Sequence, residues 1–257
     1  MPLLFLVGQR PVMVRLRSAA KDAAAGLEQD LSWLLKRLRA AWPRTRIIVR
    51  TDAGFCRDEV MALCEGQQRL DYVLGLGSNP RPQAELAAER ERTGAAARRY
   101  KDVTYRTLES WERERRVIGK AEALPGQGAQ PAKDNLRFVV TSLPAKYYLG
   151  RNLYESSYCA RGNAENRVKE HEVHLFSKRC SCNLFDANTL RMYFSTFALL
   201  LFRELRKALR GTAWKGAIPQ RVRRYLLRVG ARVKVLTRRA RISLAPSFPH
   251  KEAFARA

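Results

Sequence analysis

Along the first 76 residues, segments in which apolar positions run together or alternate with polar ones take turns with segments in which apolar positions recur at helical spacing. Short apolar or alternating runs predict strands, and the first two, joined by Gly8-Gln9-Arg10, predict a β-hairpin. Leucines at helical spacing predict a long amphipathic helix over 22–42, and a second helix is predicted over 57–66. The predicted strands cover 2–7, 11–16, 46–51 and 71–76. This rhythm predicts an α/β layer in which 46–51 is a central strand.

The pattern changes after the charged, helical stretch at 79–99. Strand-like segments at 98–108, 112–123 and 136–143 surround the loose linker 125–134 and predict a small antiparallel β insertion. Further on, the predicted elements are a helix over 158–172, an apolar helix over 188–210 buried against the sheet, a basic helix over 218–229 and basic strands within 233–244. We therefore expect four segments: an α/β part at 1–97, the β insertion at 98–150, the rest of the core at 151–212, and a basic segment at 213–257.

Charge narrows the class of partner. The 257 residues contain 49 Lys and Arg against 24 Asp and Glu, a net charge of +25, while 46% of residues are apolar. Such a chain can form a core and favours a polyanion as partner. An odd number of cysteines, five, favours a reducing compartment, and no apolar run reaches the ~18 residues needed to span a bilayer. We expect a cytoplasmic, nucleoid-associated protein without a membrane partner.

The predicted helix at 158–172 presents a polar face and a mostly apolar face. Tyr158, Arg161, Glu165 and Lys169 follow at steps of three or four, so they share one side of the helix. A carboxylate between an arginine and a lysine suits a metal ligand beside groups that hold phosphate. The alternative is an ordinary surface ion pair between Glu165 and Lys169, worth about 0.2–0.5 kcal/mol.

Asp52 follows a predicted strand, at the edge of an α/β sheet where ligands bind. The alternative is an Asp that caps the following turn. Together with Glu165, however, it provides two of the carboxylates that a two-metal phosphoryl-transfer site requires.

Five stretches carry a family resemblance: RTDAGFCRDEVMALCE, LDYVLGL, RTLESWERERRVIGKAE, RFVVTSL and YCARGNAENRVKEHE. In combination they resemble the DDE transposases of bacterial insertion sequences. The resemblance is to the group-one members with a β-rich insertion and a Tyr-Arg-Glu-Lys signature. It runs from about Pro2 into the basic C-terminal segment.

The resemblance implies a ribonuclease H-like mixed sheet with flanking helices, and three acids that hold two Mg²⁺ ions, with Mn²⁺ as an alternative. Asp52 matches the second acid and Glu165 the third. Tyr158 and Arg161 match the signature residues that hold DNA near the cut. The signature lysine would fall at Glu172, and Lys169, one turn earlier, is the expected substitute.

The first acid of the family lies on a strand upstream of the hairpin that opens this chain. We therefore expect the C-terminal part of a transposase, lacking the first strand of the sheet and inactive alone. The resemblance implies transposon ends and target DNA as partners and allows a homodimer on the DNA. The alternatives are a non-catalytic DNA-binding remnant and a basic RNA-binding protein; the latter leaves Asp52 and Glu165 unexplained.

Other residues suggest further contacts with nucleic acid. In the β insertion, Trp111 with Arg115 and Arg116 could clamp an unstacked base, or Trp111 could pack a small core. In the basic segment, the residues expected to bind DNA phosphates are Arg221, Arg223, Arg224 and Arg228. A zinc site at His171, His174, Cys180 and Cys182 is disfavoured by the tight Cys-x-Cys spacing.

Overall fold

The computed structural model describes residues 1–77, 98–108, 110–124 and 133–256. Nearly all of the helix predicted at 79–99 and most of the linker 125–134 lie outside these residues. The chain forms two compact units. Residues 20–162 are called the sheet unit here, and residues 1–19 with 163–257 are called the helical unit.

Eleven strands and seven α-helices occur in the described residues. The strands are β1 Pro2–Val7, β2 Arg10–Leu16, β3 Ile47–Thr51, β4 Leu70–Leu76, β5 Arg99–Tyr105, β6 Arg115–Ala121, β7 Ala123–Leu124, β8 Lys133–Asp134, β9 Arg137–Thr141, β10 Ala231–Leu236 and β11 Arg239–Leu244. The helices are α1 Leu27–Ala41, α2 Asp58–Glu65, α3 Gly150–Asn152, α4 Gly162–Lys169, α5 Phe185–Ala208, α6 Pro219–Tyr225 and α7 Lys251–Arg256.

The sheet unit contains a mixed five-stranded sheet in the order β3-β4-β9-β6-β5. Strands β3 and β4 are parallel, and the other neighbours are antiparallel. The expected insertion strands β5, β6 and β9 are therefore part of the main sheet, which corrects the prediction of a separate insertion. Strand β9 lies in the middle of the sheet and is buried from Phe138 to Thr141, as expected for a strand with neighbours on both edges and cover on both faces.

Strand β3 was expected at the centre of the sheet, and this prediction is wrong. Among the described strands, β3 pairs only with β4, and none of its five residues is buried. Its β-branched sequence is compatible with either place, because strand propensity reports the pleated surface and not the number of neighbours.

Helices and turns cover both faces of the sheet. Helix α2 packs on β4 through the buried Val60, Met61 and Cys64. A separate cluster joins Val73, Ile118 and Val139 to Leu143, Leu153 and Tyr154. The flanking helices and the mixed sheet confirm the predicted α/β class.

Helix α1 begins at Leu27, five residues after the predicted start. Gly26 has a φ of 75°, a left-handed conformation that interrupts the helix at its entrance. Asp22 forms a local turn instead, since its carboxylate accepts a hydrogen bond from the Ala24 amide and pairs with Arg57. Side-chain capping of this kind competes with helical hydrogen bonding.

The helical unit contains the predicted β1–β2 hairpin, whose strands pair antiparallel and whose second strand, β2, packs against α5. Helix α5 departs from its prediction. Leu190, Phe194, Phe197 and Leu201 are each more than half exposed, and their spacing places them on one face. The expectation of a fully buried helix is wrong for this face. None of the described helices is both long enough and apolar enough to cross a membrane.

The predicted helix around Glu165 is not uniformly wound. In chain order, Leu153–Tyr158 forms a wide π turn and Cys159–Arg161 forms a tighter 3₁₀ turn. Helix α4 follows, and Glu170–His174 forms a second π turn. Wide turns within helices are frequent at functional sites. Because of the changes in winding, the simple two-face arrangement expected from a constant helical period does not hold over its full length.

Candidate functional site

Asp52 stands at the carboxyl end of β3, as the sequence predicts. Its Oδ1 accepts a hydrogen bond from the Gly54 amide at 3.0 Å, so it also caps the short turn Ala53–Phe55. Its Oδ2 lies 3.9 Å from Arg161 Nη1, and half of the side chain is exposed. One carboxylate oxygen therefore serves the local turn, and the other belongs to a polar cluster.

Tyr158 and Arg161, on the π turn and the 3₁₀ turn that precede α4, complete this cluster. The Arg161 guanidinium lies over the Tyr158 ring, 5.1 Å from its centroid. Nearby, Arg50 Nη1 donates a hydrogen bond to the Ser157 carbonyl at 2.9 Å, which ties β3 to the segment. The structure thus brings Asp52 together with Tyr158 and Arg161, which lie more than 100 residues further along the sequence.

Gly75 on β4 sets the close packing beneath the cluster. A Cβ atom at this position would lie 2.5 Å from Tyr158 Oη, 2.8 Å from the Ala53 amide nitrogen and 3.1 Å from the Asp52 carbonyl carbon. Only glycine fits such an approach without a backbone shift. Gly75 was not among the predicted site residues, although a glycine inside the apolar run DYVLGL indicates close backbone contact.

Replacing Gly75 by alanine is expected to lower the free energy of unfolding by about 1–3 kcal/mol, because overpacking forces neighbouring backbone to move. The measurement is urea denaturation followed by circular dichroism. Gly77→Ala is the matched control, since a Cβ at Gly77 meets nothing within 4 Å. Equal stability of both variants would show that the space at Gly75 is not restrictive.

A ladder of tyrosines supports Tyr158 from the interior. The Tyr154 ring packs against the Tyr158 ring at a tilt of 51° with centroids 5.4 Å apart, and the Tyr100 ring centroid lies 5.6 Å from that of Tyr154. Burial raises the pKa of Tyr154. Burial and the hydrogen bond that Tyr100 donates to Glu155 raise the pKa of Tyr100 to about 12. Both phenols stay neutral at physiological pH, so the ladder is a stable packing support.

Glu165 and Lys169 lie on α4 and are both exposed. Glu172, at the position of the signature lysine, forms an ion pair with Lys178 at 2.7 Å. Asp52 belongs to the sheet unit, and Glu165 belongs to the helical unit. The convergence of these two carboxylates within about 10 Å, the span of a two-metal site with its ligands, stays a prediction.

Trp111 and its neighbouring arginines have structural partners. Trp111 is 6% exposed and packs edge-on against Tyr105. The buried Arg115 pairs with Asp58 and Glu65, and Arg116 pairs with Asp102. The adjoining groove, of about 450 Å³, is lined by Asp58, Glu59 and Glu112 among others, which disfavours phosphate. This geometry favours the core-packing alternative for Trp111.

The arginines predicted in the basic segment lie on or just after α6 and are exposed. Arg221 stacks over Trp214, 5.2 Å from the ring centroid, and Arg223 stacks over Phe176 at the same distance. A groove of about 270 Å³ is lined by Gln220, Arg223, Arg224 and Arg228. Three guanidinium groups around one groove are suited to phosphate oxygens.

The His and Cys residues weighed as zinc ligands have other environments. His171 is fully buried, its Nε2 lies 2.9 Å from Thr196 Oγ1, and burial lowers its pKa. Cys180 is exposed. Within the part of the chain that the structure describes, no three His, Cys, Asp or Glu side chains form a group able to hold a metal ion.

The mixed sheet, its flanking helices and an acid at a strand end are compatible with the ribonuclease H-like class of DDE domains. A family model described as transposase DDE domain group 1 matches residues 1–257, and the chain belongs to this family. The family supports a role in transposition and implies DNA as the partner. Comparison with curated proteins gives no match.

Proposed function

We propose that the chain belongs to the transposase of an insertion sequence, whose activity is metal-dependent cleavage and transfer of DNA strands at transposon ends, and that these 257 residues are inactive alone. The observation that carries this proposal is the cluster of Asp52, Tyr158 and Arg161 at the end of β3. It combines a carboxylate with a cation and an aromatic ring at the sheet edge where ligands of α/β proteins bind.

The two proposed metal ligands, Asp52 and Glu165, have suitable chemistry for Mg²⁺ or Mn²⁺. Both side chains are exposed carboxylates, and hard cations prefer such oxygens. When bound, two ions would stabilise the attacking and the leaving oxygen of an in-line displacement. The Gly54 amide supports this role, since its hydrogen bond to Oδ1 restricts the Asp52 rotamer.

Arg161 and Tyr158 would position the DNA strand. The Arg161 guanidinium can donate to two phosphate oxygens, and its stacking on Tyr158 limits the conformational entropy lost on binding. The tyrosine ladder and Gly75 keep Tyr158 in place. Lys169, exposed on α4, would add a further cation if α4 approaches the same strand. Assembly as a homodimer on the DNA would bring two transposon ends together.

The second candidate function is that of a non-catalytic DNA-binding remnant. The exposed arginines of α6 favour it, because they offer a phosphate site that needs no metal. The resemblance matches only two of its three acids to positions in this chain. Loss of one preorganised stabilising group can lower a rate by about 10²–10³, and loss of a metal ion lowers it further.

The 257 residues are expected to bind transposon-end DNA without nicking it in Mg²⁺ or Mn²⁺. Plasmid nicking and gel-shift assays measure the two properties. Nicking by the unaltered chain that is lost in Asp52→Ala, but kept in the exposed-acid control Asp186→Asn, would show that another residue supplies the third acid. Absence of DNA binding would contradict both candidate functions.

Fusion of an N-terminal strand that carries an Asp is the direct test of the catalytic proposal. The fusion is expected to gain metal-dependent nicking, which Asp52→Ala or Glu165→Ala should abolish while DNA binding is kept. Nicking that persists in both variants would remove these residues from the site.

A further inference from the structure

Strands β10 and β11 form a hairpin that is exposed along its whole length. All twelve strand residues are exposed, including Val233, Val235 and Ile242 at 59%, 78% and 64%. An isolated two-stranded hairpin is marginally stable in water and normally needs a further strand or a helix packed against it. This hairpin therefore has both faces available to a partner.

The pairing register separates the hairpin into a basic face and an apolar face. Directly opposed residues share a face of an antiparallel pair. The pairs on the basic face are Arg232 with Ser243, Lys234 with Arg241, and Leu236 with Arg239. The pairs on the apolar face are Ala231 with Leu244, Val233 with Ile242, and Val235 with Ala240.

The basic face has no acidic counterpart. No Asp or Glu occurs between Glu204 and Glu252. In the described part of the chain, the four basic side chains of the strands form no ion pair. Lys234 stands directly opposite Arg241, and like charges in this position destabilise a strand pair. An anion lying across both side chains would remove this repulsion.

We propose that the β10–β11 hairpin is a DNA-binding ribbon whose basic face lies in the major groove of duplex DNA. A two-stranded ribbon has the width that this groove admits. Charge complementarity selects the basic face, and the arginine-lined groove of α6 directly precedes the hairpin in sequence. This inference rests on the proposed function, because it assigns the surface through which the implied DNA partner is held.

The test variant is Lys234→Gln with Arg241→Gln in the full chain, titrated against a fluorescent duplex. If the proposal is correct, affinity at 0.1 M salt falls roughly 10- to 100-fold, and the slope of log affinity against log salt decreases by about two. The melting temperature stays equal or rises, because the like-charge pair is removed. A merely structural role of these residues would lower the melting temperature instead.

The matched control changes the opposite face of the same hairpin. Val233→Thr with Ile242→Thr keeps β-branched residues and is expected to alter duplex affinity by less than twofold. If the basic-face variant also binds within twofold of the unaltered chain, the ribbon proposal is overturned while DNA binding through other residues stands. If the unaltered chain binds no DNA, the proposed function fails as well.

A footprint on the unaltered protein gives a second readout that does not depend on the folding of a variant. Acetylation followed by mass spectrometry should show Lys234 protected when duplex DNA is bound, whereas the exposed Lys36 of α1 stays reactive. Equal modification of Lys234 with and without duplex would overturn the proposal. Protection by single-stranded nucleic acid or RNA alone would reject duplex DNA as the occupant.

Discussion

DNA binding by this protein is expected to weaken by a factor of about 10³–10⁵ when salt rises from 50 to 200 mM, the range for six to ten phosphate contacts. From Arg203 onward the chain has sixteen Lys and Arg against two Glu, so phosphate contacts should dominate. Fluorescence anisotropy with transposon-end and scrambled duplexes measures the effect. Both duplexes should lose affinity by a similar factor. Binding that does not depend on salt would contradict a phosphate-dominated interface.

Charge reversal at the α6 groove is the companion experiment. The triple variant Arg223→Glu, Arg224→Glu and Arg228→Glu is expected to bind all DNA sequences more weakly and to show a smaller dependence of affinity on salt. Arg221 is left unchanged in this variant, because its guanidinium lies over the buried Trp214 ring and its replacement would also alter packing. Sequence-selective loss of affinity in the charge-reversed protein would instead indicate direct contacts with base edges.

Replacing Arg115 by methionine is expected to lower the free energy of unfolding by about 3–5 kcal/mol, because it leaves the largely buried Asp58 without its cation and Glu65 with only the exposed Arg113. The Arg115 side chain is 3% exposed and contacts both Asp58 and Glu65. Burial raises the pKa of Glu65, but the hydrogen bonds from Arg115 and Tyr72 outweigh burial and lower it. Urea denaturation near pH 7 measures the loss.

The pH dependence gives a second check on Arg115. Glu65 has a lowered pKa in the folded protein, so its ionised form contributes stability above its ordinary value of 4.5. This contribution is lost as the pH falls through the lowered value. The difference between the Arg115→Met variant and the unaltered protein should therefore shrink in acid. A difference that grows in acid would contradict the ion-pair explanation.

Arg113→Met is the matched control for this prediction. Arg113 pairs with the same Glu65 carboxylate at 2.5 Å, but its side chain is 58% exposed. An exposed pair contributes about 0–1 kcal/mol, so this variant should remain close to the unaltered protein. A loss as large as that of Arg115→Met would show that burial is not the deciding factor.

The local elements of the chain follow from its sequence. Alternation and glycine positions predict the β1–β2 hairpin and strand β4, and helical periodicity predicts α2. These elements could be predicted from the sequence because the spacing of buried positions in a strand or a helix depends only on backbone geometry. The position of Asp52 at the end of a strand, and the spacing of Tyr158 and Arg161, are local properties of the same kind.

The partners of these elements depend on contacts between distant residues. The middle position of β9 and the edge position of β3 among the described strands depend on strands that meet only in the folded sheet. The burial of Arg115 depends on Glu65, which is 50 residues away in sequence. Alternation places a side chain on one face of a strand but does not name the neighbouring strand. For the same reason, Arg115, which the sequence predicts as a DNA contact, is the cation of a buried ion pair in the structure.

Sequence by itself determined the α/β class, the family resemblance and the acids, tyrosine and arginine proposed for the site. Tertiary structure alone decided that Asp52, Tyr158 and Arg161 meet above Gly75, and that β9 lies between β4 and β6. The physical reason is that residue type and spacing are encoded locally. Close approach and the order of strands in the main sheet, in contrast, arise only when segments far apart in the chain pack and exchange hydrogen bonds.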